Sequence, residues 1–198
     1  MLVVTREVYM EKLLELPRLI DGYQKGDYNF SEKAVSWLRD LERSLGRLRS
    51  PFTSVASIQR ARVIKVLDGF GDPGLKVSKR SKRKEISATA SLALGEVERE
   101  LIRGVRDIDH KFDAWREKLA QFISVASNSE PIPMPSEKKI QREWLQKIWR
   151  KWGKIEETQG MYRYLNTVMA PGDRLYLLSE LMENVVSANK SKKDKRPR

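Results

Sequence analysis

The stretch from about residue 85 to residue 127 constrains the fold of this chain more than any other part of its sequence. It contains no proline, and apolar residues recur along it at intervals of 3, 4, 4, 3, 4, 3, 4, 3 and 4: Leu94, Val97, Leu101, Val105, Ile108, Phe112, Trp115, Leu119, Phe122 and Ala126. This heptad pattern, with one four-residue stutter at Leu101–Val105, predicts a single long helix with an apolar seam. Such a helix spans roughly 65 Å, whereas a compact domain of this length has a radius of gyration of about 16 Å. We therefore expect it to bend, most readily at Gly95 or Gly104, to project, or to lie along another long helix.

Apolar residues recur at three- and four-residue spacing in the rest of the chain as well, and the alternation of exposed strands is scarcely present. The spacing predicts helices near residues 5–23, 31–50, 54–68, 137–153, 155–169 and 173–188. Pro17 is expected to kink or restart the first helix. In the third helix, the side chains expected to face the core are Val55, Ile58, Val63, Val66 and Leu67. We predict an all-α fold, an elongated helical bundle of about six to seven helices with one long central helix (about 85–127) and a basic disordered tail.

Three prolines alternate in residues 128–136, which is typical of a stiff extended linker. The sequence therefore predicts an N-terminal helical bundle over 1–127 that includes the long helix, and a C-terminal helical segment over 137–189 that packs on it. Residues 190–198 form a basic tail too polar to fold alone.

The positive charge of the chain is concentrated in three short stretches. Residues 76–84 carry +6, residues 138–154 carry +6 and residues 190–198 carry +5, so a formal net charge of +12 leaves −5 for everything else. Charge concentrated in this way creates local potentials that attract a polyanion. The pattern therefore indicates a class of partner rather than a reaction.

The middle stretch predicts a basic helix. Four cations recur at i, i+3, i+4 and i+7 and share one face, Lys147, Arg150, Lys151 and Lys154, while the opposite face carries Trp144, Ile148 and Trp152. Phosphate oxygens would relieve the repulsion along such a stripe and release counterions. Two other readings stay open: a solvated face over an ordinary core, and a helix lying on an anionic membrane. The tryptophans are expected to be core anchors rather than platforms for stacked bases.

The two other basic stretches supply further candidate phosphate contacts. The first is expected to be a loop, and both are expected to bind without reading bases. They identify a polyanion, without distinguishing DNA from RNA. Their candidate residues are Lys76, Lys79, Arg80, Lys82, Arg83 and Lys84 in the first stretch, and Lys192, Lys193, Lys195 and Arg196 in the tail.

Composition argues against most enzyme classes. The chain has no cysteine and one histidine, His110, which excludes thiolate chemistry and multi-histidine metal sites. We expect no metal, no cofactor and no membrane association, since no apolar run approaches the ~18 residues of a membrane span, and we expect a cytoplasmic protein. Arg103 and His110, with six residues between them, resemble the arginine–histidine pair of metal-independent ribonucleases of the HEPN type. In that family a polar residue usually follows the arginine, whereas Gly104 follows it here.

The leading prediction is a non-enzymatic accessory or architectural subunit that grips the nucleic-acid backbone, DNA or RNA, without base readout. The long helix would mate with another helix, of the same chain or of a partner. The first alternative is a protein–protein adaptor that uses the long heptad-bearing helix. The second is a ribonuclease that uses Arg103 and His110.

Overall fold

In the computed structural model of the protein, residues 1–72, 74–75, 82–131 and 141–194 are described, with side chains as far as residue 183. Over these residues the chain forms α-helices and one 3₁₀ turn and contains no strand, so the predicted all-α class is confirmed. The helices are α1 (Leu2–Gln24), α2 (Phe30–Arg47), α3 (Thr53–Leu67), α4 (Lys82–Ser129), α5 (Arg142–Trp152), α6 (Gln159–Val168) and α7 (Pro171–Asp194), and the 3₁₀ turn covers Glu156–Thr158. Of the predicted proline-rich linker, residues 128–136, the first two belong to α4, and residues 132–136 lie outside the described residues.

Helix α1 does not restart at Pro17, and one residue expected inside the protein is exposed. The helix continues through Pro17 to Gln24, because Pro17 lies on the exposed side, where the carbonyl that loses its partner can be hydrated. Ile58 was expected to face inward and is 63% exposed. The buried side of α3 is set by Ala56, Val63 and Val66, and a residue two positions after Ala56 points about 200° away from it.

The chain divides into two compact units. The N-terminal unit is Val4–Asp107, and the C-terminal unit combines Met1–Val3 with Ile108–Arg198. Helix α4 is a single 48-residue helix, of which residues 82–107 belong to the first unit and the rest to the second.

The heptad seam of α4 is used largely inside the protein. Eight of its ten side chains are buried, and only Val105 and Trp115 are half-buried. The heptad spacing therefore identified the buried face of α4 correctly. It leaves little apolar surface on that face for a partner helix.

In the N-terminal unit, Gly104 is where two aromatic rings approach the backbone of α4. A Cβ atom at this position would lie 2.5 Å from ring carbons of both Tyr9 and Phe52. These two rings contact each other, with centroids 5.7 Å apart, and the Tyr9 hydroxyl is 2.6 Å from the Ser50 hydroxyl. Gly104 is therefore required by close packing.

We predict opposite effects for alanine at the two glycines of α4. Gly104→Ala should lower the free energy of unfolding by about 1–3 kcal/mol, because a methyl group would force both rings aside. Gly95→Ala should raise it by up to about 1 kcal/mol, because nothing lies within 4 Å of the new Cβ and alanine favours helix. Urea unfolding of both variants tests this, and equal effects would contradict the packing role of Gly104.

Asp72 organises the segment between α3 and α4. Its buried carboxylate accepts hydrogen bonds from Arg62 Nε (3.0 Å), the Gly74 amide (3.0 Å) and the Thr89 hydroxyl (3.1 Å). Its own amide donates to Glu85 Oε1 at 3.1 Å. Burial raises the pKa of Asp72, but these donors outweigh burial and hold the pKa below its ordinary value of 3.8.

This carboxylate should make the protein sensitive to acid. Its folded pKa lies below its unfolded pKa, so the stability it supplies is present above the unfolded value and is lost as the pH falls through the folded value. Asp72→Asn should lower the free energy of unfolding near pH 7 by about 1.5–3 kcal/mol, because charge-assisted hydrogen bonds are lost.

Unfolding measured between neutral and acid pH checks both points. The variant should lose less stability on acidification than the parent protein. Asp68→Asn, at an exposed carboxylate at the end of α3, is the control and should behave like the parent. A parent and an Asp72→Asn variant with identical acid profiles would remove Asp72 from this account.

In the C-terminal unit, a second buried carboxylate holds the first residues of the chain. Asp173 is 1% exposed and accepts hydrogen bonds from the amides of Leu2 and Val3, both at 2.9 Å. These amides open a helix and have no partner within it, so a carboxylate there supplies both a hydrogen bond and a favourable charge. Gly172, the preceding residue, lies against the flexible Met1 side chain.

Candidate nucleic-acid interface

Helix α5 is strongly two-sided. Leu145, Ile148, Trp149 and Trp152 are buried, and Trp144 is half-buried. The four predicted cations, Lys147, Arg150, Lys151 and Lys154, are all exposed. The stripe of charge expected from the sequence therefore exists on this helix, with Lys154 in the turn that follows it.

The buried side of α5 is held by an aromatic cluster. Phe122 of α4 lies 4.8 Å from Trp149 and 5.9 Å from Trp152, measured between ring centroids, and Tyr162 of α6 lies 5.0 Å from Trp149. Trp152 is 1% exposed and Trp149 3% exposed. Both indoles are thus core residues, as expected, and neither can stack on a base without unfolding the unit.

Arg174 completes this cluster, and its role could not be read from spacing. Its guanidinium lies 4.6 Å from the Trp149 ring and donates to the Asn166 side chain. Burial lowers the pKa of Arg174, against a smaller opposing effect of Tyr162. The contact is a cation–π interaction in a partly desolvated place, where such contacts are strongest.

The C-terminal end of α5 is tied down by Thr158. The buried Thr158 hydroxyl has two carbonyl acceptors within reach of its single proton: the Trp152 carbonyl and, at 2.9 Å, the Ile155 carbonyl. Gly153 lets the Tyr162 ring approach, since a Cβ there would lie 2.5 Å from it. These contacts fix the turn that carries Lys154.

We predict that this hydroxyl stabilises the C-terminal unit. Thr158→Val should lower the free energy of unfolding by about 1–3 kcal/mol, because the buried bond to the Trp152 carbonyl is lost. Thr167→Val is the matched control, because the Thr167 hydroxyl makes a comparable bond to the Arg163 carbonyl, at 3.0 Å, on the exposed side of α6. Chemical denaturation should separate the two variants, and equal losses would contradict a special role for Thr158.

Within the part of the chain that the structure describes, most cations of the stripe are not neutralised. Lys151 forms an ion pair with Glu130, which follows the end of α4. Among the described residues, Lys147, Arg150 and Lys154 have no ion-pair partner. The acidic side chains of the described residues therefore offset only one of the four charges of the stripe.

The described end of the first basic stretch is helical, not a loop. Lys82, Arg83 and Lys84 form the first turn of α4 and are exposed, whereas Lys76, Lys79 and Arg80 lie outside the described residues. Cations in the first turn of a helix oppose its dipole, at a cost of about 0.3–1 kcal/mol each. This cluster belongs to the N-terminal unit, and the stripe of α5 to the C-terminal unit.

The first residues of the tail are helical. Helix α7 extends to Asp194, beyond the expected end near residue 188, so Lys192 and Lys193 lie on helical backbone. Their side chains, together with Lys195 and Arg196, are outside the described residues.

Arg103 and His110, the two residues of the ribonuclease alternative, differ from each other in their neighbours. The Arg103 guanidinium pairs with Glu100 at 3.3 Å and lies 5.9 Å from the Phe52 ring. His110 is exposed, and Asp113, three residues after it on α4, pairs with Arg116 at 2.7 Å. In the part of the chain that the structure describes, no group of three or more His, Asp and Glu side chains could hold a metal ion.

None of the helices, as far as they are described, is long and apolar enough to cross a membrane. Comparisons with protein-family models, with curated proteins and with solved structures found no match to this chain.

Proposed function

We propose that the protein is a non-enzymatic, helical nucleic-acid-binding accessory subunit that grips the phosphate backbone through α5. The observation that carries this proposal is the stripe of exposed cations opposite a side fixed by buried tryptophans. A rigid helix presents its charges at a constant spacing, which lowers the entropy lost on binding a regular polyanion.

Several cations that stabilise the fold are paired with carboxylates. Arg116 binds Glu180 at 3.0 and 3.1 Å and Asp113 at 2.7 Å, and Arg60 binds Glu42 at 2.8 Å. Three of the four cations in the stripe have no such partner among the described residues. Like charges at this spacing cost about 0.2–0.5 kcal/mol per pair, and phosphates would relieve that cost.

The chemistry of the stripe favours backbone binding over base readout. Three of its four members are lysines, which act as point charges, and only Arg150 has the planar fork that binds two acceptors at once. Contacts of this kind set affinity and position but carry no sequence information.

The proposal predicts a salt dependence that depends on α5. In the Lys147→Gln/Arg150→Gln double variant, the slope of log affinity against log salt on duplex DNA should fall by about 1.8, since each phosphate contact contributes ~0.9. The control is Lys111→Gln/Lys118→Gln, which removes the same charge from exposed positions of α4 in the same unit. Its slope should stay close to that of the parent protein.

Two results would count against the proposal. Equal slopes for the two double variants would show that binding follows net charge and not α5. Binding of polyglutamate as tight as that of nucleic acid would favour an acidic protein partner, which is the adaptor alternative.

A further inference from the structure

We propose that a cleft in the N-terminal unit accepts one nucleotide of a single-stranded nucleic acid. The cleft has a volume of about 640 Å³ and lies between the segment joining α1 to α2 and the first two turns of α4. This size falls in the range of about 300–1,000 Å³ typical of small-ligand sites. The inference rests on the proposed function, because it adds a second contact site for nucleic acid, in the N-terminal unit.

One wall of the cleft is polar and basic. Arg83, Lys84, Ser87 and Ala88 of α4 line it. Arg83 and Ser87 are four residues apart and therefore lie on the same side of the helix. A guanidinium beside a hydroxyl one turn away forms a donor pair suited to phosphate oxygens.

The other wall is aromatic. Tyr23 lines the cleft and is 39% exposed, while the buried Phe30 lies behind it with ring centroids 5.2 Å apart. An exposed ring supported from behind is a platform on which a base of any type can stack. The cleft thus offers a flat apolar surface and a cation within one site, which matches the two ends of a nucleotide.

Arg83 is held in place by uncharged groups. Its Nη2 donates to the Gly26 carbonyl at 3.1 Å, and its guanidinium lies 4.6 Å from the Tyr28 ring. Neither contact neutralises its charge. The hydrogen bond from Lys33 does most to lower the pKa of Asp27, and the charge of Arg83 also contributes. Asp27 forms its ion pair with Lys33 rather than with Arg83, so the guanidinium is positioned at the cleft and can still attract an anion.

One carboxylate also lines the cleft, and its oxygens are already bound. Asp27 Oδ1 accepts from the Asn29 amide at 3.0 Å, and Oδ2 accepts from Lys33 at 2.6 Å. The ion pair with Lys33 offsets its charge. Asp27 therefore shapes the segment between α1 and α2 more than it repels a phosphate.

The geometry selects a single strand over a duplex. A base can reach the Tyr23 ring only when it is unstacked and unpaired, which a single strand allows at little cost and a duplex resists. A free nucleotide has the same base and phosphate, so the experiment must distinguish binding of a free nucleotide from binding of a single strand.

The test uses the full-length protein and three probes: oligothymidylate, the same strand paired with oligoadenylate, and free thymidine monophosphate. Tyr23→Leu keeps apolar bulk but removes the ring, and it should weaken single-strand binding about tenfold while leaving duplex binding unchanged. Arg83→Gln should lower the single-strand salt slope by about 0.7. The controls are Tyr164→Leu and Arg106→Gln, at an exposed tyrosine and an exposed arginine that do not line the cleft. Circular dichroism confirms that each variant is folded.

Several outcomes would overturn the inference. Single-strand affinity that is the same for Tyr23→Leu and Tyr164→Leu would do so, as would equal slopes for Arg83→Gln and Arg106→Gln. Tight binding of the free nucleotide without binding of the strand would identify a small-molecule site. If the parent protein binds nucleic acid through α5 and the cleft variants change nothing, only the cleft proposal is refuted. If the parent protein binds neither the single strand nor the duplex, the proposed function is refuted as well.

Discussion

Trp149 and Trp152 fill the interior of the C-terminal unit, and their burial determines where the charges of α5 must lie. Each indole buries about 150–250 Å² of surface, worth roughly 4–6 kcal/mol at ~25 cal/mol per Å². Repulsion between neighbouring cations on the same helix costs only about 0.2–0.5 kcal/mol per pair. The apolar side therefore sets the orientation of the helix, and Lys147, Arg150 and Lys154 are held in water. Thr158 and Gly153 fix the turn that follows the helix, through a hydrogen bond and a close ring contact.

Charge placement separates structural cations from the candidate binding ones. Arg62 and Arg116 bind carboxylates that belong to the fold, and removing either partner would leave a buried or half-buried group unsatisfied. Most cations of α5 have no such partner in the described part of the chain. The buried heptad seam points the same way: because α4 packs its apolar face inside the protein, the charged surfaces offer more to a partner than the seam does.

Helical periodicity predicted which face of each long element is buried, because a helix repeats every 3.6 residues and the core covers one side. It succeeded for Leu94, Phe112 and Phe122 of α4 and for Trp152 of α5. It failed at Ile58, where a short helix is covered over a narrow arc. It could not predict the hydrogen bonds of Asp72, the rings packed against Gly104 or the cleft beside Arg83. Those features depend on contacts between residues far apart in the sequence, such as Tyr9 and Gly104. No local pattern shows which distant segment packs at a given position.

The most direct test of the central claim is protection of individual lysines from acetylation, read by mass spectrometry with and without saturating nucleic acid. The account predicts that Lys147 and Lys154 become protected on binding while Lys111 and Lys118, exposed on α4 of the same unit, do not. Equal reactivity of all four lysines in the bound and free protein would contradict it.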